Sequence, residues 1–557
     1  MKPVTLYTAQ LPPEIWLLCL ASLSRKQLSR VARVCRLFLS LSLPLLWLEQ
    51  TFDASANFTS AVSADQVRYL HRTQVRMKKV AEGPYASLIR FLTVQLPLRT
   101  DHVNPESRWA RELNGTASLF LDMRSQILST SLTTIAACQN LETLHLEHFR
   151  VDDSLVQTLA SMPSLVVLRL VDCEFENSES QDFLPLEHLK IERGFGREDA
   201  VVRIASPRTL RTLEPGNYLP QLTRGFGAQP LPHLVELTIQ TPSDLAHFIA
   251  CVDKLTGLES LTMGPIFNED TISYPPLPPR TLPRLRTLAA TPEIHQWLVP
   301  GRPVSSVTIS LGVRYQNEEH DKLVRTCVAI AGSTAPIRSL TIVPPMVPKL
   351  EPMARILALF PRLQEFCYAI DGGARPGQPG DRLRFRRLPQ LAKHEMRSKP
   401  AVDQYQPPEL IDDLAFDELS EDDISDEEEE VQSGEAAVVE VSRSAPEADG
   451  TDIESHRLQD TLGWLVDGRI ELAPTIEVLK LQVFGLPAKL PFTYESRVFA
   501  HLVGRYPHLR EVQFGSDSHR WERICAGAQG EGEGRVLWKP AVPGKGNARK
   551  AWVKITA

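Results

Sequence analysis

Serines set among carboxylates, a handful of histidines and eight scattered cysteines are the residues of this 557-residue chain whose types could do chemistry. Ser420 and Ser425 each have an acidic residue three positions downstream, Asp423 and Glu428, the pattern an acidophilic kinase favours. Phosphate there would add negative charge and tune a contact with basic surface such as residues 382–387. Catalysis asks for more. No Gly-x-Ser-x-Gly elbow occurs, and Gly544-Lys545 is followed by Gly546 without the upstream spacing of a phosphate-binding loop. His145, His148, His188 and His233 stand in or near strand-like segments, where a surface imidazole is the ordinary outcome. The cysteines form no Cys-x-x-Cys pair and have no histidine at zinc-finger spacing, which predicts reduced, mostly buried thiols. The expectation is a chain with no catalytic residue, no metal ligand and no cofactor.

Charge narrows the partners. The net charge of -7 hides an asymmetry: residues 409–455 hold 19 acidic side chains against Arg443 alone, leaving 60 basic and 49 acidic residues elsewhere. The basic residues are dispersed and poorly interleaved with aromatics, so nucleic acid is an unfavoured partner. The first residues, MKPVTLYTAQLPP, lack a signal peptide's apolar stretch, and apolar runs such as 41–48 are short and broken by proline. No membrane partner is expected, and the expected location is cytoplasmic and/or nuclear.

The elements that could position a binding surface come from a repeated pattern, L-x-x-L-x-L. Clear copies lie at 141–146, 165–170, 186–191, 234–239, 258–263 and 476–481, and weaker ones at 89–94, 304–309 and 337–342 and from Leu210, Leu285, Leu363 and Leu509. From Leu141 to Leu258 consecutive copies stand 21 to 24 residues apart. Each copy reads as a short strand: in 165–170, Leu168 and Leu170 point inward while Arg169 faces out. Helical stretches at 153–161 and 243–254 would cover the buried side, and stacking such units would build a continuous core. Pro-x-Leu junctions before many strands mark the repeat boundaries.

Residues 11–47 form a different kind of element. Leu11-Pro12-Pro13-Glu14 predicts a helix start, with proline in the first turn and Glu14 near the positive end of the dipole. Ser24-x-x-Gln27 is a capping box opening a second helix, whose apolar stripe runs through Leu28, Val31, Val34, Cys35, Phe38 and Leu41. Pro44 is expected to stop it, with Leu45, Leu46 and Trp47 beginning a third element.

Taken in order, Leu11-Pro12, Glu14-Ile15, Leu23, Leu28, Val31, Val34-Cys35, Phe38 and Leu46-Trp47 resemble an F-box. Cys19, Leu20 and Phe38 stand where the family more often has isoleucine, phenylalanine and tryptophan. The resemblance implies binding to a SKP-type adaptor and through it a cullin-RING ubiquitin ligase. Leu11, Pro12, Ile15, Leu20, Leu23, Val34 and Cys35 are the positions carried over to that contact. The strands behind it resemble degenerate leucine-rich repeats, as in fungal-type F-box proteins with such repeats, although the usual Asn or Cys is mostly absent.

The expected fold is α/β: a three-helix F-box at 8–52, an irregular leucine-rich-repeat-like solenoid at 85–370, and a disordered basic-then-acidic insertion at 371–456. Repeats at 457–522 would complete the solenoid, and 527–557 would be a flexible tail. The expected function is that of a substrate-recognition subunit of an SCF-type ligase holding an unknown target protein. A non-degradative scaffold is the alternative, and a nucleic-acid-associated protein the more distant one.

Overall fold

A computed structural model describes residues 11–54, 64–97, 117–176, 183–196, 203–240, 243–264, 277–278, 280–310, 319–346, 349–371, 451–484, 492–515, 520–525, 536–540 and 553–554. Met1–Gly372 together with Glu454–Ala557 form one compact unit, and Gly373–Ile453 form another. Nearly all of the second unit lies outside the described residues, including Ser420, Ser425 and the basic stretch at 382–387.

The first unit opens with α1 (Pro13–Ala21), α2 (Arg25–Ala32) and α3 (Arg36–Trp47). Parallel strands follow: β1 (Glu49–Asp53), β2 (Phe91–Gln95), β3 (Thr143–Glu147), β4 (Val167–Val171), β5 (His188–Glu192), β6 (Thr212–Glu214) and β7 (Glu236–Ile239). The series continues with β8 (Ser260–Met263), β9 (Thr287–Ala290), β10 (Ser306–Ser310), β11 (Ser339–Met346), β12 (Glu365–Asp371), β13 (Val478–Phe484) and β14 (Glu511–Phe514). Each strand pairs in parallel with the next one named here, so sequence order is spatial order.

Every L-x-x-L-x-L copy becomes a strand. The opening leucine turns into the core just before pairing begins, as Leu141, Leu165 and Leu285 do, and the next two inward positions follow it. Leu168 and Leu170 are fully buried while Arg169 is half-exposed. The helices expected at 153–161 and 243–254 are present as Asp153–Ala160 and as Ser243–Cys251 with a 3-10 turn. Three successive strands end on a left-handed residue, His148 (φ 62°), Asp172 (φ 50°) and Arg193 (φ 49°). There the chain turns into the short strands Arg150–Val151, Glu174–Phe175 and Phe195–Gly196, which pair as a small second sheet.

Three expectations are corrected and one strand is added. The helix begun at Ser24 does not run to Pro44: it ends at Ala32, and Pro44 lies inside α3. The strand β1 was not foreseen, because Glu-Gln-Thr-Phe-Asp lacks the leucine pattern and buries only Gln50 and Phe52. The helix Thr451–Val466 starts inside the stretch assigned to the insertion, with Leu458, Leu462 and Leu465 in the core. Last, the stretch read as a loose tail contains Val536–Pro540 and Val553–Lys554, which extend the sheet from β14 through Arg520–Cys525 in antiparallel pairing. A parallel edge offers unpaired N–H and C=O groups, and these strands satisfy them. Among the described residues no helix is long and apolar enough to cross a membrane.

Candidate protein-docking surface

Pro12 is extended (φ -55°, ψ 144°) and α1 follows with proline in its first turn and Glu14 beside the positive end of the dipole. The capping box forms as the spacing predicted: the Gln27 amide donates to Ser24 Oγ at 3.4 Å and the Ser24 amide donates to Gln27 Oε1 at 2.9 Å. After α2 the chain breaks at Cys35, whose extended backbone caps α3 while its Sγ accepts the Phe38 amide at 3.5 Å. Leu20, Leu28, Ala32 and Leu46 form the buried centre of the three helices, with Leu23, Val31, Leu39, Leu41 and Leu45 around it. Trp16 meets Phe38 edge-on, ring centroids 5.0 Å apart.

This bundle leaves large apolar side chains in water. Ile15 and Leu18 lie three residues apart on the outer side of α1, with Leu11 exposed just before the helix, and Leu18 is 71% exposed. Val34, 68% exposed, and Leu37 form a second strip at the junction of α2 and α3. Large apolar side chains exposed together on a small bundle mark a surface that another protein can cover. The F-box domain model matches residues 9–45. The chain carries an F-box domain. F-box domains bind SKP-type adaptors in cullin-RING ligases. No curated protein matches the chain.

Of the positions carried over to the adaptor contact, Leu11, Pro12, Ile15 and Val34 are exposed on the F-box, and Leu23 and Cys35 are half-buried. Leu20 is a correction: at 3% exposure it belongs to the bundle's own core and holds α1 in place. Leu18 and Leu37 are exposed apolar residues of the F-box outside the positions carried over. Their signal was in the sequence nonetheless, since Ile15 to Leu20 is apolar on every side of a helix and only one side can face the bundle.

The F-box is fixed to the sheet by a polar joint and an aromatic one. Gln50, buried in β1, donates from Nε2 to the Leu46 carbonyl at 3.2 Å. Its Oε1 accepts from Arg25 of α2 at 3.3 Å and from Arg76, on the helix Ala64–Glu82, at 3.2 Å. Trp47 packs on both the bundle core and the sheet core and stacks on Tyr85, centroids 5.1 Å apart and planes 19° from parallel.

On the outer face of the sheet the first strands are densely charged and self-neutralised. Arg169 and Lys190 both pair with Glu192 at 3.1 Å, and Lys190 pairs with Glu214 at 2.7 Å. Burial, with Arg169 adding repulsion, lowers His145 to about 4, so this imidazole is neutral at physiological pH. His148 is not a surface imidazole but is buried in its turn, where burial also lowers its pKa. It lies close to Glu147 and Asp172, and the three could group around a cation. They have partners already: Glu147 accepts from Gln95 at 2.8 Å and Asp172 pairs with Arg193 at 2.9 Å. The thiols of Cys138, Cys173 and Cys327 are pushed up to about 12 by burial, and those of Cys251 and Cys367 to about 11. They are held protonated, without nucleophilic character.

Proposed function

We propose that this chain is a substrate-recognition subunit of an SCF-type ubiquitin ligase. The F-box seats the SKP-type adaptor, and the strand array, read as a leucine-rich-repeat-like solenoid, holds a target protein. The observation that carries the reading is the pair of exposed apolar strips on the segment that matches the F-box domain, Leu11, Ile15 and Leu18 with Val34 and Leu37. Ubiquitin transfer is then accelerated by proximity, because a held target meets the charged carrier at high effective concentration. The chain itself supplies no reacting group, and it works in the cytoplasm and/or nucleus.

The test is co-purification of the full chain with a SKP-type adaptor. Leu18→Asp combined with Val34→Asp places two charges where a partner must desolvate them, and is expected to weaken binding about a thousandfold. Both side chains are exposed, so thermal unfolding of the free chain should be unchanged. Adaptor binding at the level of the unaltered chain would sink the reading. Levels of proteins captured by the array separate a degradative receptor from a scaffold: they rise on removal of the chain in the first case and stay constant in the second.

A further inference from the structure

The residues that precede the strands form a row across the sheet, tied by backbone bonds such as Ser305 N–H to the Arg286 carbonyl and Arg338 N–H to the Ser305 carbonyl, both 2.8 Å. Arginines in this row are normally paired with a glutamate on the neighbouring strand: Arg90 with Glu142 at 2.8 Å, Arg211 with Glu187 at 3.4 Å and Arg510 with Glu477 at 3.2 Å. Arg286 and Arg338 break the rule. Both are exposed, and among the described residues neither guanidinium has an ion pair or hydrogen bond.

Between and beside them the face is small and uncharged. Ser305 separates the two arginines in the row, the next register is Thr287, Ser306 and Ser339, and the one beyond is Ala289, Thr308 and Thr341. Glu259 is the neighbour of Arg286 in the row, and the Glu365 amide donates to the Arg338 carbonyl at 2.8 Å, so a carboxylate flanks each arginine from the outer side, yet neither forms an ion pair with it. On the first strands the face charges cancel one another, and so do Lys480 and Glu511 near the last, at 2.9 Å. Two arginines without ion pairs, facing each other across a low, hydroxyl-bearing surface, are complementary to an anionic segment. The planar fork of arginine takes a carboxylate through two parallel hydrogen bonds. Two strand spacings separate the arginine backbones by about 10 Å, the distance covered by about three residues of extended chain.

We propose that the patch formed by Arg286, Ser305 and Arg338 docks an acidic, extended segment of the captured protein, with two carboxylates about three residues apart. The proposal rests on the reading that the array holds a target. It is tested on the full chain bound to its adaptor, using fluorescence anisotropy with a synthetic peptide that carries two glutamates at that spacing, a glutamine counterpart and a phosphoserine counterpart. The glutamate peptide should bind roughly tenfold more tightly than the glutamine peptide, and the preference should shrink as salt rises. Arg286→Glu with Arg338→Glu should erase the preference, while Arg325→Glu on the helix Glu319–Ile330 should leave it intact. Equal binding of the glutamate and glutamine peptides overturns the proposal, as does an equal loss from Arg325→Glu. Binding confined to the phosphoserine peptide overturns the choice of carboxylate. Adaptor co-purification is the separate readout: the Arg286 and Arg338 changes should not alter it, so failure here leaves the ligase reading standing.

Discussion

The three-helix bundle and the strand array dispose of apolar side chains in opposite ways. The bundle buries four apolar residues and exposes Leu11, Ile15, Leu18, Val34 and Leu37. The array's core is one cluster running from Phe52 to Phe514, and among the described residues its exposed large apolar side chains are Tyr69, Val75 and Val328. A core of four side chains is too small to stabilise a domain unaided. The bundle therefore leans on the array through Trp47 and Gln50, and its outer strips are free for a partner. Stability resides in one region and, on the proposed function, recognition of the ligase in the other.

This contrast can be broken by experiment. The largest effect on stability is expected in the array: Leu288→Ala, at a fully buried position of β9, should cost about 2–5 kcal/mol in denaturant unfolding. Adaptor binding by the still-folded fraction should be unchanged, and a loss of binding in that fraction would show that the two regions are not separate in role. Acid should act on the array next. Burial lowers His295 from 6.5 to about 4, with its Nε2 3.0 Å from the Thr308 carbonyl. The unfolded chain takes up a proton that the folded chain refuses, so this contribution is complete above about 6.5 and is lost as pH falls toward 4. His295 should add at most about 1.4 kcal/mol per pH unit to the slope, and a His295→Gln variant should lose that share while keeping the part that His145 and His148 contribute in the same direction. No histidine lies between Leu11 and Trp47, so hydrogen exchange should show the bundle's own protection flat over the same range.

Smaller changes sharpen the boundary. Gln50→Ala leaves Arg25 and Arg76 without their shared acceptor and should cost about 1–3 kcal/mol. Faster hydrogen exchange in Arg25–Ala32, with β9 unaffected, is the expected pattern; uniform acceleration would mean the joint is part of the array's core. The smallest effect is at the capping box, where Ser24→Ala should cost about 1 kcal/mol and loosen α2 alone.

The sequence made the periodic features legible because their cause is local. Ser24 and Gln27 sit at the spacing a capping box needs, and Leu168 with Leu170 alternate as a half-buried strand must. The order of the strands was also within reach, since a strand, a short cover and another strand leave parallel neighbours as the simplest outcome. What escaped has a physical reason in each case. The stripe from Leu28 to Leu41 keeps a helical period across the break at Cys35, so apolar spacing could not reveal it, and a cysteine gives little warning as a cap. Leu20 and Leu18 are the same residue type two positions apart, and only packing against Leu28 and Leu46 decides which is core and which is surface. Arg286 and Arg338 look like any other arginine until the register shows which of their neighbours are serines.

The joint at Gln50 and Trp47 turns strand number into distance. From β1, which carries Gln50 of the joint, to β9, which Arg286 directly precedes, the chain takes eight steps across the sheet, roughly 40 Å along its face. On the proposed function, the array would work as a graduated rule with its zero at the adaptor: adding or deleting one strand with its covering segment would move a held target by about 5 Å without altering either surface.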